Sequence, residues 1–154
     1  MATMSATVAE LLKDKAKQAP DSTLYSVGPG MLVADAVNMM VKNKISSVVV
    51  MDNNAMVGLI TLRELLHGLY QHSDKLTQAK CCDVMKADPP VARLEDTVDH
   101  LRGLMTELHI THVPVMNQAV LVGILSFHDI ARSAIKDADF VNKLLKQYIR
   151  NWPE

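Results

Sequence analysis

The sequence predicts an α/β (α+β) protein built from two β-α-β-β-α repeats related by pseudo-two-fold symmetry, with a short helix at either end. The first observation behind this is that the chain restates itself. Ile45-Ser46-Ser47-Val48-Val49-Val50-Met51 returns as Ile110-Thr111-His112-Val113-Pro114-Val115-Met116. Gly58-Leu59-Ile60-Thr61-Leu62-Arg63-Glu64 returns as Gly123-Ile124-Leu125-Ser126-Phe127-His128-Asp129. Both blocks keep one offset of 65 residues with nothing inserted between them, which implies two copies of one structural unit. The second observation is that each copy passes from an apolar stripe at helical spacing to compact apolar runs at strand length. Two copies are too few for a solenoid, so the units are expected to face each other across a cleft lined by equivalent residues.

Along the chain, residues 7–13 read as a short amphipathic helix that Pro20 terminates or follows. Residues 23–27 carry Thr, Tyr and Val in partial alternation and read as a first strand, broken by Gly28-Pro29-Gly30. Val33, Ala36, Val37, Met40 and Val41 then form the stripe of a helix packed on one side. Residues 45–51 are a buried strand, Asp52-Asn53-Asn54 a turn, and residues 56–61 the returning strand of a hairpin. Residues 62–70 are a second helix. In the second copy Pro89-Pro90-Val91-Ala92 opens the unit and Val98, Leu101, Met105 and Leu108 mark its helix. Residues 113–116 and 120–126 form its hairpin and 127–135 its closing helix. Residues 139–150, with Phe140, Val141, Leu144, Leu145, Tyr148 and Ile149 on one face, read as a separate amphipathic tail helix. The expected division is an extension (1–22), a first repeat (23–70), a linker (71–84), a second repeat (85–136) and a tail (137–154).

Composition narrows the function classes. A chain 49% hydrophobic and 21% charged is that of a folded domain, and it has no uninterrupted apolar run of membrane-spanning length. Met1-Ala2-Thr3-Met4-Ser5-Ala6 has neither the basic start nor the apolar centre of a secretion signal, so a cytoplasmic location is expected. With a net charge of −1 and no basic stripe, nucleic-acid binding is not expected. Cys81 and Cys82 are adjacent, which suits neither a disulfide nor a zinc site. They read as reduced structural thiols, a redox-responsive pair being the alternative.

The repeated segment after each hairpin carries the chemistry. Its glycine permits close approach of a ligand to the backbone. Thr61 or Ser126 stands where strand gives way to helix, beside free backbone N–H groups that suit an anion. Three residues on, Glu64 or Asp129 lies on the same face and can accept from the paired hydroxyls of a ribose. Arg63 and His128 share the place before the acid, and each either faces a phosphate or is simply solvated. His100, His109 and His112 have no acidic or thiol partner to complete a metal site, so no metal is expected. Ser126, His128 and Asp129 share one helical turn and cannot converge as a triad. No phosphate-loop or dinucleotide glycine signature occurs, so catalysis is not expected.

Through the Ile-x-x-hydrophobic-Pro/Val-Val segment and the Gly-hydrophobic-hydrophobic-Ser/Thr-x-x-acid segment, the chain resembles a tandem pair of cystathionine-β-synthase-type (CBS) domains, the Bateman module, over about residues 24–135. The resemblance implies a regulatory, non-enzymatic module that binds an adenosine ligand (AMP, ADP, ATP, S-adenosylmethionine or NAD(H)) between the repeats and modulates a partner protein or its own self-association. It requires no cofactor. It implies Ser126 as the phosphate-side hydroxyl, Asp129 as the ribose carboxylate, Thr61 and Glu64 as their counterparts, and His112 and Val113 as the adenine-side wall. It also implies a homodimer formed through the helices. Asp129 is expected to make the stronger site, because the extra methylene of Glu64 displaces its carboxylate, and an Asp129→Ala exchange is expected to leave the fold intact. The competing expectation is a dimeric interaction scaffold whose clefts bind no nucleotide.

Overall fold

Helical stripes and β-branched runs at the same spacing in both halves produce the same elements in the same order. The structure, a computed structural model, describes residues 6–18 and 24–150, less the side chains of residues 137, 140, 141, 144, 148 and 149. It begins with α1 (Val8–Gln18). The first repeat is β1 (Ser26–Val27), α2 (Val33–Asn43), β2 (Ser47–Asp52), β3 (Ala55–Thr61) and α3 (Leu62–His72). A 3-10 turn (Ser73–Gln78), α4 (Cys81–Val84) and β4 (Lys86–Ala87) connect it to the second. That repeat is β5 (Ala92–Arg93), α5 (Val98–Leu108), β6 (His112–Asn117), β7 (Val120–Ser126) and α6 (Phe127–Arg150).

The first sheet has the order β1-β2-β3-β4 and the second β5-β6-β7, each with a parallel pair beside an antiparallel hairpin. The repeat extends to local irregularities. Both hairpins slip register at one place, between Val50 and Met51 and between Val115 and Met116. Both first helices end on a left-handed residue, Lys44 and His109, each at φ 55°. The next N–H, of Ile45 or Ile110, then bonds back at 3.0 Å to the carbonyl of Met40 or Met105, which satisfies a carbonyl the helix end would otherwise leave open. Strand alternation turns Val48 and Val50 onto a core with Val33, Ala36, Met40 and Ile60. Val113 and Val115 do the same with Val98, Leu101, Met105 and Leu125.

Each core is completed by chain from outside its own repeat. Val8 and Leu11 of α1 are buried in the second core, and Cys81 and Val84 of α4 in the first. The backbone bonds that seat the two arms are equivalent. Val8 N–H donates to Asp96 O (2.8 Å), Ala9 N–H to Leu94 O (3.0 Å), and Val98 N–H to Ala6 O (2.8 Å). In the first repeat Cys81 N–H donates to Met31 O (2.7 Å), Cys82 N–H to Pro29 O (3.0 Å), and Val33 N–H to Ala79 O (2.8 Å). Burial of an aliphatic side chain is worth about 1.5–3 kcal/mol, so each arm is held by packing as well as by these bonds. Cys81 thus serves as core, and burial, with Asp35 nearby, pushes its thiol pKa up; Cys82 is exposed.

Several sequence expectations change here. Gly58 and Gly123 leave room for the arms: Met85 lies over the first and Leu12 over the second. Neither glycine has a positive φ, so close approach is what each position requires. The closing helix and the tail expected as separate elements form one continuous α6, since no Pro or Gly interrupts residues 127–150. The helix stop at Pro20 and the strand start at Thr23 lie outside the described residues, as do the side chains of Phe140, Val141, Leu144, Tyr148 and Ile149; Leu145 is exposed. Among the described residues no helix is long and apolar enough to cross a membrane.

The two glycines predict unequal costs. A Cβ on Gly58 would stand 2.7 Å from Met85 Cγ and 3.0 Å from its Cβ, close to the backbone, whereas one on Gly123 meets only the tip of Leu12 at 2.9 Å. Gly58→Ala is therefore expected to lose about 1–3 kcal/mol of unfolding free energy and Gly123→Ala less, as read from urea denaturation midpoints. Equal losses would count against the arms as the reason for these glycines.

Candidate functional site

Between the repeats lie two cavities of similar size, about 510 Å³ and about 500 Å³. The first takes Leu59, Thr61, Arg63 and Glu64 from the first repeat and Ile110, Thr111 and His112 from the second. The second takes Ile45, Ser46 and Ser47 from the first repeat and Gly123, Ile124 and Ser126 from the second, with His112 again and Lys15 of α1. The exchange of strand-entry and strand-exit segments between the two is what the repeat offset requires.

The hydroxyl-plus-acid motif first serves its own helix. Thr61 is the N-cap of α3: its hydroxyl accepts from Arg63 N–H (3.2 Å), and Glu64 Oε1 accepts from Thr61 N–H (2.8 Å) and from Thr61 Oγ1 (2.6 Å). This is a capping box, in which side chain and backbone satisfy each other across one turn. Ser126 and Asp129 repeat it at the start of α6, with Asp129 Oδ2 accepting from Ser126 N–H (2.8 Å) and Ser126 Oγ (3.0 Å) and Asp129 N–H donating to Ser126 Oγ (3.1 Å). The spacing taken in the sequence as a ribose and phosphate motif is thus also a helix-start signal.

Asp129 goes further than Glu64. It is 4% exposed, Lys15 Nζ donates to its Oδ2 at 2.9 Å, and Arg132 Nη2 donates to Oδ1 at 2.6 Å. Burial alone would raise its pKa, but the Ser126 backbone N–H, the Lys15 ammonium and the Ser126 hydroxyl together hold the carboxyl below the usual range. The side chain lines a small recess of about 30 Å³ behind Lys15, with Arg132 and Ser133, and is absent from the wall of the second cavity. The carboxylate is thus part of the fold, so removing it is expected to cost stability as well as any ligand contact.

His112 stands where the cavities meet. Its Nε2 is 2.9 Å from Ser46 Oγ of the other repeat and its Nδ1 is 2.8 Å from Thr111 Oγ1, so a hydroxyl able to donate or accept meets each ring nitrogen. Burial, then Lys15, lowers its pKa against the opposing pull of Asp129 and Glu64. Arg63 spans the repeats by donating to the carbonyl of His109 at 2.7 Å.

Of the residues singled out in the sequence, Thr61, Arg63, Glu64 and His112 therefore meet in the first cavity, and Ser126 and His112 in the second. His128 is exposed on the first turn of α6 and lines neither. Val113 is 0% exposed and lines neither, because alternation turns it with Val115 into the core. The residue that sequence reasoning missed is Lys15. No local pattern marks it, since its partners Ile124 and Asp129 are 109 and 114 positions away. Among the described residues no group of three or more His, Cys, Asp or Glu is placed to hold a metal.

The family model of the CBS domain matches the chain twice, over residues 16–71 and 81–136. A CBS domain-containing protein of Arabidopsis thaliana, CBSX3, mitochondrial, is 26% identical over 151 residues, covering 95% of this chain and 73% of that protein. Among solved structures, a putative signal-transduction protein with CBS domains from Burkholderia ambifaria is 30% identical, with a TM-score of 0.76 over 86% of this chain and 96% of its own. CBSX2 in complex with AMP shares the fold at 24% identity, with a TM-score of 0.68 over 86% of this chain and 98% of its own.

The environment of Asp129 predicts an acid dependence. A carboxyl whose pKa is depressed by folding contributes stability that is complete above its ordinary value, about pH 4, and is lost as pH falls through the lower folded value. His112 adds a loss of the same sign, starting from its ordinary range near neutrality, because its folded pKa is also lowered. Asp129→Asn keeps the cap oxygen and removes the charge. It is expected to cost about 1–3 kcal/mol at pH 7 and to flatten the fall in unfolding free energy between about pH 5 and pH 3. Wild-type and variant curves of equal slope over that interval would contradict the assignment.

Proposed function

The chain belongs to the CBS domain family, and from that premise we propose that it is a regulatory module that binds an adenosine ligand between its repeats. The ligand is AMP, ADP, ATP, S-adenosylmethionine or NAD(H), and its occupancy is passed to a partner protein or to the chain's own self-association. The observation that carries the reading is the first cavity. At about 510 Å³ it falls within the range of small-molecule sites, and its walls come from both repeats. A ligand seated there touches Thr61, Arg63 and Glu64 on one side and Ile110, Thr111 and His112 on the other. Its binding energy therefore depends on how the repeats are set, and occupancy shifts the population of arrangements. Glu64 has an acceptor for ribose hydroxyls, and the Arg63 guanidinium, exposed and tied among the described residues to a carbonyl, can turn to a phosphate. The AMP complex of CBSX2, a protein of the same fold, supports the choice of ligand class.

The function is one of binding and regulation, without turnover. A cytoplasmic location belongs to the same proposal. Self-association takes the form of a homodimer. Leu62, Leu66, Leu69 and Tyr70 on α3 and Phe127 and Ile135 on α6 are exposed, and the first three recur at the i, i+4, i+7 spacing of a face that pairs with another helix. Those same residues favour the second reading, an interaction scaffold without a nucleotide.

A thermal-shift screen against AMP, ADP, ATP, S-adenosylmethionine, NAD and NADH tests the choice. A ligand at a hundred times its dissociation constant adds about 2.7 kcal/mol, readily visible as a raised melting temperature. Silence across the panel at millimolar concentration selects the scaffold. For a responding phosphate-bearing compound, Arg63→Ala is expected to weaken binding by about tenfold, equivalent to about 1.4 kcal/mol, and to leave adenosine itself unaffected. An equal loss for adenosine would remove Arg63 from the phosphate side.

A further inference from the structure

We propose that Lys15 takes the Asp129 carboxylate away from any ligand in the second cleft, so that the two clefts of this chain, built from the same motif, are not equivalent sites. The inference rests on the adenosine-binding reading given above and asks which cleft can act on it.

The asymmetry begins in the arms. Ala6 to Ala9 and Ala79 to Cys82 make the same three backbone bonds to opposite repeats, and Leu12 and Met85 cover the equivalent glycines. From there the arms diverge. α4 ends at Val84 and the chain leaves into β4, whereas α1 runs on to Gln18. The additional helix carries Lys15, three and four residues beyond Leu12 and Leu11 and so on the same face, toward the second repeat. Its ammonium donates to Ile124 O at 2.7 Å and to Asp129 Oδ2 at 2.9 Å.

That placement uses up the carboxylate. Oδ2 of Asp129 takes the Ser126 N–H, the Ser126 hydroxyl and Lys15, while Oδ1 takes Arg132. An ionised carboxylate offers about two lone pairs on each oxygen, so three donors crowd Oδ2 and Arg132 leaves at most one acceptor position on Oδ1, too few for both hydroxyls of a ribose diol. Lys15 is itself part of the wall of the second cavity and Asp129 is not, so a ligand entering there meets the ammonium first. In the first cleft, the partners of Glu64 among the described residues are the N–H and hydroxyl of Thr61, both on one oxygen, and no cation covers it. On this proposal Glu64 makes the stronger site, where the sequence led to the expectation of Asp129.

The test is calorimetric titration with AMP and, separately, ATP, using the full chain and its Lys15→Met variant. Met keeps the aliphatic stem and removes the ammonium, and α1 remains seated by Val8, Leu11 and its backbone bonds. Lys15→Gln is titrated beside it, so that misfolding of one variant, seen by circular dichroism, leaves the other to decide. Wild type is expected to bind one nucleotide per chain and the variants two, the added site disappearing in Lys15→Met/Asp129→Asn. Two sites in the wild type, or one in folded variants, would overturn the role of Lys15 while leaving the adenosine reading in place. Silence of all proteins toward both nucleotides, and toward S-adenosylmethionine and NADH titrated in the same way, would overturn the adenosine reading and this inference together.

Discussion

The loop that enters the first helix of each repeat presents backbone carbonyls at residues 29 and 31, or 94 and 96, and an N–H at residue 33 or 98 that the repeat does not satisfy itself. The arm from outside supplies all three partners, and its apolar side chains, Val8 and Leu11 or Cys81 and Val84, complete the core beneath. Most other features follow from this exchange. Buried polar backbone without a partner costs as much as a lost hydrogen bond, so neither repeat is complete without the other arm. The arms cross from one half to the other and hold the two sheets close enough for clefts to form. They also run over Gly58 and Gly123, which explains two glycines that a ligand would otherwise have been invoked to explain.

A second constraint is the double duty of the acid at each helix start. In a capping box the carboxylate compensates N–H groups that a helix cannot satisfy internally. On the proposed adenosine reading, a ligand diol would share the carboxylate with the cap. Glu64 meets this with one oxygen on Thr61 and its other oxygen outside the box. Asp129 adds Lys15 and Arg132 to its cap, and burial makes the resulting cluster part of the fold. One methylene, one lysine and one arginine (His67 in the first copy) thus separate two copies of a motif that look interchangeable on paper. A buried carboxylate holding two cations is costly to strip of one of them, and this gives the Lys15 contact its persistence.

His112 links the clefts physically. It lines both, reaches across to Ser46, and feels Lys15 and Asp129 on one side and Glu64 on the other. Its counterpart in the first repeat is Ser47, so the pseudo-symmetry is broken at the centre as well as at the arms. Charge introduced in either cavity acts on the same imidazole.

Much of this was legible in the residues. The offset from Ile45 to Ile110 and from Gly58 to Gly123 established two copies of one unit and predicted the α/β repeat, the two hairpins and a cleft between equivalent segments. Period, turn residues and β-branched runs are short-range properties, and a local pattern is enough to reveal them. Tertiary structure decided the exchange of arms, the merging of two expected helices into α6, the burial of Val113, and the capture of Asp129 by Lys15. The partners in that last pair are 114 residues apart, and neither side chain carries a local mark of the other. The sequence determined that a hydroxyl and an acid would stand together at each helix start. Only the three-dimensional packing of α1 decided which of the two acids took a lysine partner, because that depends on where a helix from elsewhere in the chain comes to rest.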